Sequence, residues 1–545
     1  MSARSKTPSF VTEIELLPTG KQAKKLRSKF EAARQAYNAA LGECRKRMCL
    51  MRESKAWQAT RKMAKGKARN SQFQALKQQF GFREYDLHSW GTQFTRSWIN
   101  AHIGARTVEA VITQAFKAAE EDLYDPTRKR LNFRRKGDLR AVEGKTGSCC
   151  HWKGDHIEWG RGFSVKARID PNDAVQKHGL TADIKYVRMV RRVIRGQERF
   201  FAQLLCKGNA YCKQSHRPTE GIVGLDIGTQ TVAIVGGEAA RLKCFCPEIQ
   251  RDDQRVRRIQ RAMDRSKRAT DPQNFDAEGR FVRMKPGQHR EWHFSKRYRE
   301  LRTQYSEILR KEAEHRKNLH GRLVAEVLSF GNDVRMEKLE FRSWAKKAKR
   351  DGNRKRKRFG KSVGRRAPGM FVARLKTEAV KWDATVEEFE TRTTRLSQTC
   401  HCGHRARKNL GQRTHKCPNC GAFAQRDLYS AYLARFVEGN RLHADQAAMA
   451  WSRSCAALGA AWSDIKHANG LPASLGLRDR DRAACSQNGR QNESESADVV
   501  TGGQPTGESL AEPRKTAKAS FFYAVNSDAS HTDNSGMNTS VGDSS

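Results

Sequence analysis

Residues 400–434 read CHCGHRARKNLGQRTHKCPNCGAFAQRDLYSAYLA. Cys400 and Cys402 form one thiol pair and Cys417 and Cys420 a second, with fourteen residues between them. Four thiolates are the ligand set of a structural zinc ion, which closes a tetrahedron and keeps no open position. The second pair has the usual C-x2-C spacing of a knuckle, with Gly421 directly after it. The first pair is C-x-C, one residue short. His401, His404 and His415 therefore stand as alternatives for a ligand in place of one cysteine. Seven positions beyond Cys420 comes an acid, Asp427, at the start of RDLYSAYLA.

Two further acids sit in apolar surroundings. Asp226 interrupts IVGLDIG; in a strand, Val223, Leu225 and Ile227 take one face and Asp226 the other. Glu337 lies in VRMEKLE, with Glu340 as a nearby competitor. Asp427 opens a helix in which Ser430, Ala431 and Ala434 share its face. Those small side chains allow a close approach to a sheet. Singly, each acid has an ordinary role as a turn residue or helix cap. Together, two acids on strands and one on a close-packed helix are hard oxygen ligands suited to Mg²⁺. Two such ions, about 3.5–4 Å apart, activate water and stabilise the leaving oxygen of a phosphodiester.

The elements that must position these groups follow from periodicity. SFVTEIELL, 9–17, alternates as a strand, and 20–124 reads as mainly helical. From 125 to 219, RLNFRRKG, HIEWGRGFSVKARI, ADIKYVRMVRRVI and RFFAQLLCKG read as short strands of a small β-barrel, with the first strand joining them and the helices inserted between. GIVGLDIGTQTVAIVG, 221–236, gives two strands joined by a three-residue turn. Two long basic helices follow, then a strand at 333–339. Residues 346–366 hold twelve Lys or Arg and are expected to form a mobile basic loop contacting nucleic acid. Residues 476–545 are polar, rich in Ser and Gly, and expected to be disordered.

Composition narrows the function. Lys and Arg total 105 against 59 Asp and Glu, a formal charge of +46. Folding and solubility need no such surplus; it fits a surface built for a polyanion, nucleic acid first. No apolar run approaches the roughly 18 residues of a membrane span, and the N-terminus lacks the apolar stretch of a secretion signal. The expectation is a soluble, intracellular protein. Ten scattered cysteines and one group of four suit reduced thiols and a metal site rather than a disulfide framework.

GIVGLDIGTQTVAIV, VRMEKLEFRSW and LSQTC…CPNCG…QRDLYSAYLA resemble, in order, the RuvC motifs and zinc module of the transposon-encoded TnpB nucleases and the compact type V CRISPR effectors. RAPGMFVARLKTEA and the opening IELLPTGKQAKKLRSKFEAARQAYN resemble the same proteins, so the resemblance spans roughly 1–440. It implies a multidomain α/β chain: an RNase H-like (RuvC) nuclease domain with a zinc-knuckle insertion, preceded by a wedge β-barrel holding an inserted helical recognition lobe. The implied boundaries are 1–19 and 125–219 for the wedge, 20–124 for the lobe, 220–399 and 422–475 for the nuclease, and 400–421 for the zinc module. By the same resemblance Asp226, Glu337 and Asp427 are the catalytic, magnesium-binding acids. Cys400, Cys402, Cys417 and Cys420 are the zinc ligands, and Arg413 stands near the scissile phosphate. The implied activity is RNA-guided DNA cleavage at a single RuvC site, with guide RNA and target double-stranded DNA as partners, a short flanking DNA motif, and a monomer as the expected state. Ordered-looking helix beyond Asp427 favours a CRISPR effector. A TnpB nuclease and a guided DNA-binding protein with weak or no cleavage are the alternatives.

Overall fold

The computed structural model describes residues 8–124, 132–144, 150–160, 162–284, 288, 290–345, 359–408 and 412–466. Residues 346–358 of the expected basic loop and the whole of 476–545 lie outside them. The chain divides into two units between Arg217 and Pro218.

In the first unit, seven antiparallel strands form one sheet: β1 (Ser9–Leu16), β2 (Ala141–Gly144), β3 (Cys150–Lys153), β4 (His156–Trp159), β5 (Ser164–Arg168), β6 (Ile184–Ile194) and β7 (Gln197–Lys207). Their order is β2-β6-β7-β1-β5-β4-β3. The N-terminal strand is thus central. It pairs with β7 over its whole length, from Ser9 opposite Lys207 to Leu16 opposite Phe200. Helices fill the sequence between β1 and β2. The longest, Gly20–Glu53, starts with a capping box between Thr19 and Gln22. Its Leu26, Phe30, Ala33, Tyr37, Ala40 and Leu41 form a buried stripe. Phe30 meets Trp159 of β4 edge-on at 5.7 Å and Phe200 of β7 at 6.1 Å, so helices and sheet share one core.

The described part of RLNFRRKG is not a strand. The backbone of Arg134 is held by the helix: its N–H donates to Asn38 Oδ1 (2.8 Å), and its carbonyl accepts from Asn38 Nδ2 (2.8 Å) and Arg34 (2.9 Å). Those bonds replace a strand ladder.

The second unit is built on five strands: β8 (Ile222–Ile227), β9 (Thr231–Val235), β10 (Ala240–Cys244), β11 (Asp333–Glu337) and β12 (Thr385–Phe389), in the order β10-β9-β8-β11-β12. β8, β9 and β10 pair with one another antiparallel, and β11 and β12 run parallel to β8. Val223, Leu225, Ile227, Val334 and Met336 face the helices Lys296–Leu328 and Pro368–Lys381, through Leu323, Val327, Phe371 and Leu375. The opposite face, with Ala233 and Val235, receives the helix Arg426–Ala434. Strands β10 and β12 lie outside the sequence expectations. In β10 only Leu242 is buried, and Arg241 and Lys243 pair with Glu326 of the long helix. That leaves too weak an alternation to read. Within the expected basic loop, Gly360–Arg366 is instead a helix, tied to Thr229 by a Ser362 hydroxyl bond of 2.7 Å. Among the described residues no helix is long and apolar enough to cross a membrane.

Candidate active site and metal centre

The helix carrying Asp427 lies directly on β8. A Cβ built on Gly224 would fall 1.8 Å from the Ala431 carbonyl oxygen, so only glycine permits the contact. From there the chain geometry sets the acids. Asp226 is two residues along the strand on the same face, about 6.6–6.8 Å away. Asp427 is four residues back along the helix, about 6 Å away and on the same stripe. The contact thus carries both aspartates to one end of the sheet. Glu337 arrives by register: Met336 pairs with Leu225 in parallel strands, so the next step sets Glu337 beside Asp226. The charges of Glu337 and Asp427 are both felt at Asp226. Glu340 lies beyond the strand and is exposed.

Burial holds the Asp226 carboxyl well above the usual carboxylate range, and the negative charges of Asp427 and Glu337 push it further; Arg426 and Arg413 oppose this. Burial alone raises Glu337 to about 7. Asp427, itself buried, accepts a bond from the Thr231 hydroxyl at 3.3 Å and pairs with Arg426 at 3.4 Å and Arg413 at 3.8 Å. Among the described residues, neither Asp226 nor Glu337 has an ion-pair partner. The site therefore carries two desolvated carboxylates, of which Asp226 is offset by Arg426 and Arg413 only from beyond ion-pair distance. The acids are less tightly gathered than the thiols. Among the described residues, only the cysteine group brings three or more metal-ligating groups within 4.8 Å of one another.

That group is Cys400, Cys402, Cys417 and Cys420. All four are free thiols. Cys400 and Cys420 sulfurs lie 3.5 Å apart, and those of Cys402 and Cys417 3.6 Å apart. Sulfurs about 2.3 Å from a tetrahedral zinc are about 3.8 Å from one another, so the quartet is compatible with zinc. No histidine joins the group. His401 sets its Nδ1 against the Tyr429 hydroxyl at 2.9 Å and its Nε2 against the Cys420 sulfur at 3.7 Å, at the rim of the quartet. The short C-x-C spacing still delivers both sulfurs.

The quartet and the acids are parts of one construction. Strands β13 (Thr414–Lys416) and β14 (Phe423–Gln425) form a hairpin whose turn carries Cys417 and Cys420. Thr414 pairs with Gln425, so the open end presents Arg413 beside Arg426 and Asp427. Gln425 caps the helix through Leu428 N–H at 2.7 Å. Two residues past Asp427, the Tyr429 hydroxyl accepts the His401 N–H at 3.0 Å and touches Cys400 Sγ at 3.2 Å. Its ring stacks on His415 at 3.9 Å. A thiol-bound ion would thus fix the helix that bears Asp427. Thr231, Arg426, Gln425 and Tyr429 escaped the sequence reading. Arg426 and Tyr429 flank Asp427 in sequence; Thr231 carried no signal.

Residues 369–433 match the family model described as "Cas12f1-like, TNB domain", a span that holds β12, the cysteine quartet and Asp427. Residues 11–48 match a "Helix-turn-helix domain" model of the IS605 OrfB family. Over these two spans the chain is similar to compact type V and TnpB-like effectors. In this chain the 11–48 span is a strand followed by one long helix. Among solved structures it is similar to a Cas12f1–sgRNA–target DNA complex, at 12% identity and TM-score 0.37, covering 78% of this chain and 98% of the other. It is also similar to a CRISPR-Cas12f ternary complex, at 12% identity and TM-score 0.24 over 76% and 84%. CasPhi-2 (Cas12j) bound to crRNA is a third, at 13% and 0.26 over 57% and 64%. No curated protein matches.

Proposed function

We propose that the chain is an RNA-guided DNA endonuclease that hydrolyses phosphodiesters at one RuvC site. The observation that carries this is the meeting of Asp226, Glu337 and Asp427 at one end of the five-stranded sheet, with Asp226 and Glu337 unpaired. The sheet order, with three antiparallel strands and two more parallel to the first, supports an RNase H-like reading. In the first unit, Gly144 of β2 approaches Cys150 of β3 so closely that a Cβ would sit 2.7 Å from the Cys150 Cβ. The two outermost strands of the sheet thus meet, which supports a closed wedge barrel, with 20–124 as the recognition lobe.

Three carboxylates fit Mg²⁺ by donor type, and their gathering at one end of the sheet fits a cation. Bound Mg²⁺ would supply an activated water and charge stabilisation at the leaving oxygen. Asp226 and Glu337 lie in a desolvated place where a bound cation would favour their charged forms, beside Asp427. Thr231 orients one Asp427 oxygen, and Arg426 and Arg413 face the other. Arg413 is free to exchange this long contact for a substrate phosphate. The cysteine quartet binds one structural zinc that holds the Arg413–Asp427 hairpin.

Guide RNA and target DNA are the proposed partners, since the +46 charge fits a polyanion. Pairing by the guide then reads sequence while the protein reads duplex shape and a short flanking motif. The CRISPR assignment is supported by the helix Ala444–Lys466, which continues the fold past Asp427. The transposon-encoded reading is favoured by the 11–48 match. Sequencing the RNA that copurifies with the protein separates them: repeat-derived RNA supports the first, transposon-end RNA the second.

A further inference from the structure

The helix with Asp427 is buried along its length and meets β8 at Ala431. Ala431, which touches Gly224, lies four residues from Asp427 and four from Arg435 at the far end. So short a helix moves as a unit, and a tilt of the far end also moves Asp427. Arg335 is a side chain that ties that end to the sheet. Arg335 lies on β11 two positions before Glu337, on the same face, and is 8% exposed. Its guanidinium donates to the carbonyls of Arg435 at 3.1 Å and Val437 at 2.9 Å. The Arg435 carbonyl is the cap at the negative end of the helix, and Val437 follows it in the short strand Val437–Glu438. Asp333 at 3.1 Å and Glu438 at 3.6 Å flank the guanidinium.

We propose that Arg335 is a positioning residue for metal binding: it fixes the angle of the Asp427 helix against β11, and so the placement of Asp427 relative to Glu337 and Asp226. The strand that bears one acid thereby clamps the helix that bears another. This rests on the nuclease reading, but it is tested in two ways, one of which needs no cleavage.

The test uses full-length protein with its copurifying guide RNA. Cleavage of a matched duplex and the Mg²⁺-induced rise in Tm are each followed against Mg²⁺ concentration for wild type, Arg335→Gln, Arg335→Lys and Asp333→Asn. The expected result for Arg335→Gln is a half-saturating Mg²⁺ concentration raised about tenfold or more in both readouts. Guided DNA binding and zinc content should stay as in wild type. Arg335→Lys should recover part of the loss, and Asp333→Asn, which keeps both carbonyl bonds, should shift little. An unchanged half-saturation in Arg335→Gln, even with less folded protein, overturns the proposal. So does an equal shift in Asp333→Asn. If wild type does not cut at any Mg²⁺ concentration the nuclease reading fails, and the Tm series still decides the role of Arg335.

Discussion

Gly224 and Ala431 meet where a strand and a helix cross, with no room for a methyl group: a Cβ at 224 would lie 1.8 Å from the Ala431 oxygen. The opposing atom is backbone, so it has no side-chain freedom with which to move aside. Gly224→Ala should lower stability by about 1–3 kcal/mol, as overpacking does, and should reduce cleavage further than that loss explains. Gly237→Ala, with nothing within 4 Å, is the control and should match wild type. Denaturant melts and cleavage rates of the two variants check this. Equal behaviour would remove the crossing from the account.

On the proposed reading, removing one of the three acids should stop chemistry without stopping recognition. Asp226→Ala, Glu337→Ala and Asp427→Ala should each cut at least 100-fold more slowly, on the order expected when metal ligands are lost. Guided binding of target DNA should stay within a few-fold. Full cleavage by Glu337→Ala would transfer the role to exposed Glu340.

The pH response follows from burial. The Glu337 carboxyl is raised to about 7 in the fold, against about 4.3 in an unfolded chain. The fold favours its neutral form, so its contribution to stability is full below about pH 4 and is lost as pH rises through about 7. Asp226, also raised, acts in the same direction. A bound cation reverses the penalty by pairing the charge. Without Mg²⁺, the Tm of wild type should therefore fall relative to Glu337→Gln between about pH 5 and pH 8. Adding Mg²⁺ should restore wild type more at the alkaline end than at the acid end. Parallel Tm profiles for the two proteins would contradict this.

Metal analysis should find about one zinc per chain, since one set of four thiolates closes one tetrahedron. Cys402→Ser and Cys417→Ser should both lose zinc, and cleavage should fall with it, because the hairpin turn holds Arg413 and the Asp427 helix. His401→Ala should keep its zinc. Retention by Cys402→Ser with loss by His401→Ala would reverse the ligand set.

What the sequence disclosed was local. Asp226 stood out as a charge in an apolar strand, and Ser430, Ala431 and Ala434 announced a helix face fit for close packing. The cysteine pairs announced a metal site but not whether Cys402 or a histidine completes it. That answer depends on a turn geometry that spacing does not fix. Arg335 and Thr231 were invisible, because their partners lie about a hundred and about two hundred residues away. Strand β10 was missed because its polar residues pair with a helix that comes later in the chain. RLNFRRKG looked like a strand, yet Asn38 satisfies its backbone from a helix. Periodicity reports which face is buried; it does not report what covers that face.

The central claim is guided cleavage at the Asp226–Glu337–Asp427 site. The most direct measurement reconstitutes the protein with RNA from its own locus, Mg²⁺, and a duplex library carrying the matching target beside randomised flanks. Cutting should require the match, select a short flanking motif, and disappear with Asp226→Ala or on chelation. Cutting that ignores the guide, or tight guided binding by wild type with no cutting at any Mg²⁺ concentration, would contradict the account.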